Sequence, residues 1–233
     1  MKLFKHTLLA LVCAGTMSAQ AQNVENEVDQ EASYLSSKTV PVFKGYKNTN
    51  GSIYNDKEFK RGTVFVDGKM TASNVGLRYN AQSEEIEYMK QLGSQATVVN
   101  VVKKSENIDV KILNDHYVYL PSPGKKFKDG YLIVLEENDK LTLYKKLSKE
   151  FVEGKKSVNS YTRDVPDSFK EREVLFIKVK GEEIKEVPGS KGKRKKLFSS
   201  KENEVTTYMK NEKLNLRKDE DLIKALKYYS TLN

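Results

Sequence analysis

The sequence predicts a mainly β protein: an antiparallel β-sandwich or partly closed barrel followed by a C-terminal helical hairpin. Three observations predict it. Between residues 34 and 198 apolar and polar residues alternate in short runs, tight-turn dipeptides separate those runs, and after residue 199 the apolar period lengthens to that of a helix. Strands do not alternate with helices, which argues against a nucleotide-binding α/β fold.

Residues 1–21 read as a signal peptide. Lys2 and Lys5 form a basic n-region, Leu8-Leu9-Ala10-Leu11-Val12 opens an apolar stretch, and Ala19-Gln20-Ala21 has the small-x-small pattern of a cleavage site. Gly15, Thr16 and Ser18 break the apolar run before it reaches the roughly 20 residues that a membrane span needs. Lipid attachment at Cys13 is the competing reading. Val12 counts against it, because a small residue is expected there. The chain is therefore expected to be exported to the periplasm or outer membrane, or released from the cell, with no transmembrane helix in the mature form. Residues 22–33 are polar and acidic, and are expected to form a disordered lead-in.

Residues 34–198 carry the strand pattern of an antiparallel β domain. Val64 and Val66 alternate with Thr63 and Phe65; Val75, Leu77 and Tyr79 share one face, as do Ile108, Val110 and Ile112. Hairpin turns are expected at Asp67-Gly68, Asn114-Asp115, Asn138-Asp139 and Gly181-Glu182. The runs at 97–102, 117–120, 131–135 and 174–179 are more continuously apolar, as in strands covered on both faces. A membrane barrel fits less well, because the strands read as short and Lys and Glu occupy their outward positions.

Residues 199–233 are expected to form the helical hairpin. Ser199-Ser200-Lys201-Glu202 has the spacing of a capping box, and Val205, Tyr208 and Met209 recur at helical intervals. Asp219, Glu220 and Asp221 complement the dipole of a second helix whose apolar face is Leu222, Ile223, Leu226 and Tyr229. Tyr228 and Tyr229 are expected to pack rather than to offer a stacking platform.

Three stretches occur together: Arg61-Gly62-Thr63-Val64-Phe65-Val66-Asp67-Gly68-Lys69, then Leu77-Arg78-Tyr79-Asn80 followed by Glu84-Glu85-Ile86-Glu87, and last Asn211 to Leu232. Their order resembles an uncharacterised family of small exported envelope proteins of Bacteroidetes-type bacteria. The resemblance spans residues 58 to 233. It implies an envelope location and no known activity, so no catalytic residue is carried over from it.

Loss of the leader would remove Cys13 and His6, leaving no thiol and His116 as the one histidine. Disulfides, thiolate nucleophiles and cysteine zinc sites are then excluded. His116 beside Asp115 has no nucleophile motif near it. Asn138-Asp139, or Asp164 with Asp167, falls short of a calcium loop. No catalytic residue, metal or cofactor is expected. Glycosidases need only two carboxylates, and Glu85 and Glu87 would share one strand face with Glu84 opposite. A carboxylate-dependent glycan hydrolase is therefore an alternative, although an acidic strand edge also guards against edge pairing.

The formal charge of +9 becomes +7 without Lys2 and Lys5. A basic exported chain meets anions as lipid headgroups, acidic glycans or acidic proteins, and nucleic acid is not an expected partner. Lys191, Lys193, Arg194, Lys195 and Lys196, set off by Pro188, Gly189 and Gly192, are expected to form a basic loop able to bind anions. Its partner would be an envelope protein or an anionic glycolipid. Arg78 and Tyr79 could add a contact patch. The sequence reading is an exported, non-enzymatic binding or scaffolding protein of the cell envelope. Its alternatives are the glycan hydrolase and an anion-binding module built on residues 191–196.

Overall fold

The computed structural model describes residues 31, 33–43, 45–121, 129–157, 161 and 163–232. The expected signal peptide, Cys13 and nearly all of the 22–33 lead-in lie outside the described residues.

Among the described residues twelve strands form one sheet: β1 (Leu35–Pro41), β2 (Thr49–Asn50), β3 (Lys60–Val66), β4 (Lys69–Asn80), β5 (Glu85–Met89), β6 (Val98–Val102), β7 (Ile108–Ile112), β8 (Asp115–Leu120), β9 (Gly130–Glu137), β10 (Leu141–Val152), β11 (Asp167–Val179) and β12 (Lys185–Glu186). Their order is β1-β6-β5-β4-β3-β7-β8-β9-β10-β11-β12, and β2 joins β11 off this path. The pair β2–β11 is parallel and the others are antiparallel. The expectation was a sandwich or a partly closed barrel; the structure is one large sheet that is not closed into a barrel. Three strands are longer than the sequence reading suggested, since β4, β10 and β11 run to 12, 12 and 13 residues.

Period two assigns the faces. Val64, Leu77, Tyr79, Ile86, Val110 and Tyr131 meet in one buried cluster, although they come from five strands. Leu147 of β10 belongs to that cluster, and Leu141 and Leu143, on the same face of β10, belong to a second. The sheet must curl for this to happen, because β4 and β10 are five places apart in the strand order. Glu84 ties the curl. It accepts from the Tyr79 hydroxyl at 2.9 Å and from the Tyr131 N–H at 3.2 Å, and it pairs with Lys146 at 3.1 Å. The Lys149 N–H donates to the Ala81 carbonyl at the same seam.

The expected turns recur, not all in register: the Glu182 N–H donates to the Val179 carbonyl, so Lys180 and Gly181 are the central pair where Gly181-Glu182 is expected. Asp67 and Gly68 both have positive φ, as a two-residue type I′ hairpin requires, and Asn138 accepts from the N–H groups of Lys140 and Leu141. The expected Asn114-Asp115 turn is built from Leu113 and Asn114 instead, with Asp115 already paired to Ile112. The reason lies on the neighbouring strand: the Leu113 N–H donates to the Arg61 carbonyl and holds Leu113 at φ 53°.

Beyond β12 the chain forms α1 (Lys191–Lys195), a 3-10 turn (Lys196–Lys201), α2 (Glu202–Asn211) and α3 (Asp219–Thr231). The basic segment 191–196 is therefore helical and not the expected loop, because the Ser190 hydroxyl accepts from the Lys193 N–H and starts a turn. The expected capping box does not form. Ser199, at φ 47°, breaks the path three residues before α2, which begins with no side-chain cap. Val205, Met209, Leu222, Ala225 and Leu226 face Leu141, Leu143, Leu175 and Ile177 of the sheet. Tyr228 stacks on Tyr208 with centroids 4.1 Å apart and Tyr229 packs on Phe198, so both tyrosines pack as expected. Among the described residues no helix is long and apolar enough to cross a membrane.

Candidate functional site

The site starts from a cross-strand pair on the face opposite the core. Arg78 on β4 lies directly across from Glu87 on β5, while Leu77 and Tyr79 point the other way. An arginine there would ordinarily reach water. Here Arg78 is 4% exposed and Glu87 3%, because residues 42–43 and 45–59 lie over them. The β3–β4 pairing runs to Lys60 and Leu77, breaks, and resumes as a single bridge between Tyr54 and Asn80. Between these pairings the chain bows away from β4, and the Lys57 carbonyl becomes an acceptor for Arg78.

All five N–H donors of the guanidinium are accounted for. Nε and Nη2 donate to Glu87 Oε2 at 3.0 and 2.6 Å, and Nη2 also donates to the Tyr54 hydroxyl at 3.0 Å. Nη1 donates to the Lys57 carbonyl at 2.9 Å and to the Phe43 carbonyl at 3.5 Å. The rings of Tyr54 and Phe59 lie 3.7 and 4.2 Å from Cζ, which adds cation–π attraction. The Tyr54 hydroxyl donates in turn to Glu87 Oε1 at 3.0 Å. Burial, then the charge of Glu87, pushes this phenol far above its ordinary range, with Arg78 opposing. It stays protonated and keeps its donor role.

Above this floor lies a cleft of about 930 Å³, within the range of small-molecule sites. Residues 42–43 and 45–59 form one wall and the β5–β6 connection, residues 90–97, forms the other. The Val42 N–H joins the walls through the Thr97 carbonyl at 2.8 Å. Pairing of Thr49 and Asn50 with Asp167 and Ser168 brings in Phe169. Gly51 permits this approach: at φ +85°, a Cβ on it would fall 2.7 Å from the Phe169 carbonyl oxygen. Tyr46 stacks on Phe169 at 5.4 Å and 30°, touches Phe43 at 4.6 Å, and remains 54% exposed.

Among the described lining residues of this cleft Glu58 is the one carboxylate, and Glu87, beneath Arg78, has both oxygens engaged. Of the acids singled out by sequence, Glu85 pairs with Lys38 and Glu84 ties the sheet seam. His116 lies 3.5 Å from Asp109 on β7 and lines neither this cleft nor a smaller hollow of about 200 Å³ between residues 55–60 and 112–115. Among the described residues no group of three or more His, Cys, Asp or Glu could hold a metal.

The basic cluster splits by role. Arg194 donates through Nε to the Pro188 carbonyl at 2.7 Å and through Nη1 to the Leu216 carbonyl, so it clamps α1 to the α2–α3 connection. Lys191, Lys193 and Lys196 are exposed and Lys195 is partly buried. Arg78 and Tyr79 form no common patch, because neighbours on a strand face opposite sides. Sequence reasoning passed over Phe43, Tyr46, Tyr54 and Phe59. Their signal was four aromatics among Gly45, Gly51 and several lysines in a stretch with no strand or helix period.

Comparison with protein-family models, with curated proteins and with solved structures finds no match to this chain. The functional reading therefore rests on the fold and the cleft: a curled antiparallel sheet with a helical C-terminus and an aromatic-walled hollow on its outer face.

Proposed function

We propose that this chain is an exported, non-enzymatic binding or scaffolding protein of the bacterial cell envelope, and that its ligand occupies the aromatic cleft above Arg78. One observation carries the reading. A catalytic cation or carboxylate must keep bonding capacity for its substrate, whereas Arg78 and Glu87 are saturated by each other, Tyr54 and two carbonyls. Such a pair makes a rigid floor, and rigidity lowers the ordering cost of binding. The signal-peptide pattern of residues 1–21 and the resemblance over residues 58–233 support the envelope location. In this reading α2 and α3 act as a helical hairpin packed on the curled, open sheet. A glycan hydrolase has less support, since a second lining carboxylate is missing among the described residues.

Cell fractionation and thermal-shift measurements on the purified chain test this together. The expected result is recovery with the envelope and stabilisation by a small-molecule envelope extract that is lost in Tyr46→Ala. Cytoplasmic recovery, or turnover of a substrate abolished by Glu58→Gln, would contradict it.

A second reading, anion contact through Lys191, Lys193 and Lys196, is favoured by charge distribution: residues 187–232 hold twelve Lys and Arg against six Asp and Glu. It predicts envelope association that weakens as salt shortens the screening length from about 10 Å to about 3 Å. Association that is indifferent to salt would remove it.

A further inference from the structure

The lining of the cleft narrows the ligand class further than its size does, on the premise that the cleft is the binding site proposed above. Charge is the first filter. Arg78 has no N–H donor left for an anion, and the other charged lining residues, Lys57 and Glu58, are of opposite sign. Among the described lining residues the charges thus cancel in pairs, Arg78 against Glu87 beneath it and Lys57 against Glu58, and a phosphate or carboxylate gains little. The second filter is the aromatic row. Tyr46 packs on Phe169 and touches Phe43 while more than half of its surface stays in water. A large ring fixed in an exposed position is a ready platform for a flat, partly apolar partner.

The third filter is polar. Thr49, Ser52, Ser94, Gln95 and Thr97 line the same walls, and each side chain both donates and accepts hydrogen bonds. Thr49 already donates to the Lys47 carbonyl and Ser52 accepts from the Tyr54 N–H, but an acyl chain would offer none of these groups a hydrogen-bond partner, at a desolvation cost. A pyranose ring matches all three features: its C–H face is apolar, its rim carries hydroxyls that donate and accept, and it bears no charge. We infer that the cleft binds a short neutral oligosaccharide, with sugar faces against Tyr46 and hydroxyls against the threonine, serine and glutamine side chains.

Isothermal titration of the purified chain with neutral hexasaccharides tests this: β-1,4-glucan, β-1,4-mannan, β-1,4-xylan, α-1,4-glucan and chitin-type hexamers. Palmitate, an uncharged Gly/Ser/Tyr decapeptide and polyphosphate form the counter-panel. At least one hexasaccharide should bind with one-to-one stoichiometry and little response to salt. Tyr46→Ala should weaken that binding about tenfold or more, Tyr46→Phe should retain it, and circular dichroism should match for all three proteins. Binding of palmitate, the peptide or polyphosphate without any saccharide, lost in Tyr46→Ala, would overturn the ligand class and leave the cleft as the binding site. Saccharide binding that Tyr46→Ala leaves unchanged, or no binding by any probe, would overturn both.

Discussion

Arg78 and Glu87 face each other across β4 and β5, 2.6 Å apart and almost wholly buried, on the side of the sheet that faces away from the main core. Removing either partner strands a charge that residues 42–43 and 45–59 shield from water. Arg78→Met and Glu87→Gln should each lower stability by about 3–5 kcal/mol in urea denaturation. The double variant Arg78→Met/Glu87→Gln should cost less than the two single losses together, because no unpaired charge remains. Strict additivity would show that the pair is not coupled.

Gly51 and Gly68 both have positive φ, and they should respond differently to alanine. Gly68 has open space around it, so Gly68→Ala should cost about 1–2 kcal/mol from backbone strain alone. At Gly51 the added methyl also meets the Phe169 carbonyl oxygen, and Gly51→Ala should lose clearly more, about 2–4 kcal/mol. Equal losses would mean that the β2–β11 junction does not hold Phe169 as described.

The β3–β4 hairpin was legible because Asp67-Gly68 and the alternation of Val64 and Val66 are local signals, and the faces of α2 and α3 were legible for the same reason. The seam at Glu84 was not. Its partners Tyr131 and Lys146 lie 47 and 62 residues downstream, and no local pattern records contacts at that separation. The cleft was hidden differently. Residues 42–59 have no period to read, and Arg78 looked like a surface residue until the chain laid over it supplied carbonyl acceptors. The capping box at Ser199 shows the opposite error: a good local motif lost to the burial of Phe198 beside it.

Buried tyrosines make stability sensitive to alkali. Burial raises Tyr79, Tyr117 and Tyr131 far above the ordinary 10.0, and burial with the Asp129 hydrogen bond pushes Tyr119 up to about 12. Below pH 10 both the folded and unfolded chains keep these protons. Above it the unfolded chain releases protons that the folded chain retains, so folding stability is present below about pH 10 and falls as pH rises past it. The urea midpoint should be lower at about pH 11 than at about pH 9. An unchanged or higher midpoint would contradict the burial of these hydroxyls.

Within the basic segment, Arg194 should separate from its neighbours. Arg194→Met leaves the Pro188 and Leu216 carbonyls without their charged donor and should cost about 1–3 kcal/mol. Changing Lys191, Lys193 and Lys196 together to glutamine should alter stability by no more than about 0.5 kcal/mol per site, as exposed substitutions do. A large loss in the triple variant would show that these lysines support the fold.

Backbone amide chemical shifts, recorded as a ligand is titrated into the labelled chain, test the central claim most directly. With whichever probe of the titration panel binds, the perturbed amides should concentrate in residues 42–59 and 90–97 and around Phe169. Perturbations centred on residues 191–196 or on His116, with the cleft walls unmoved, would contradict it.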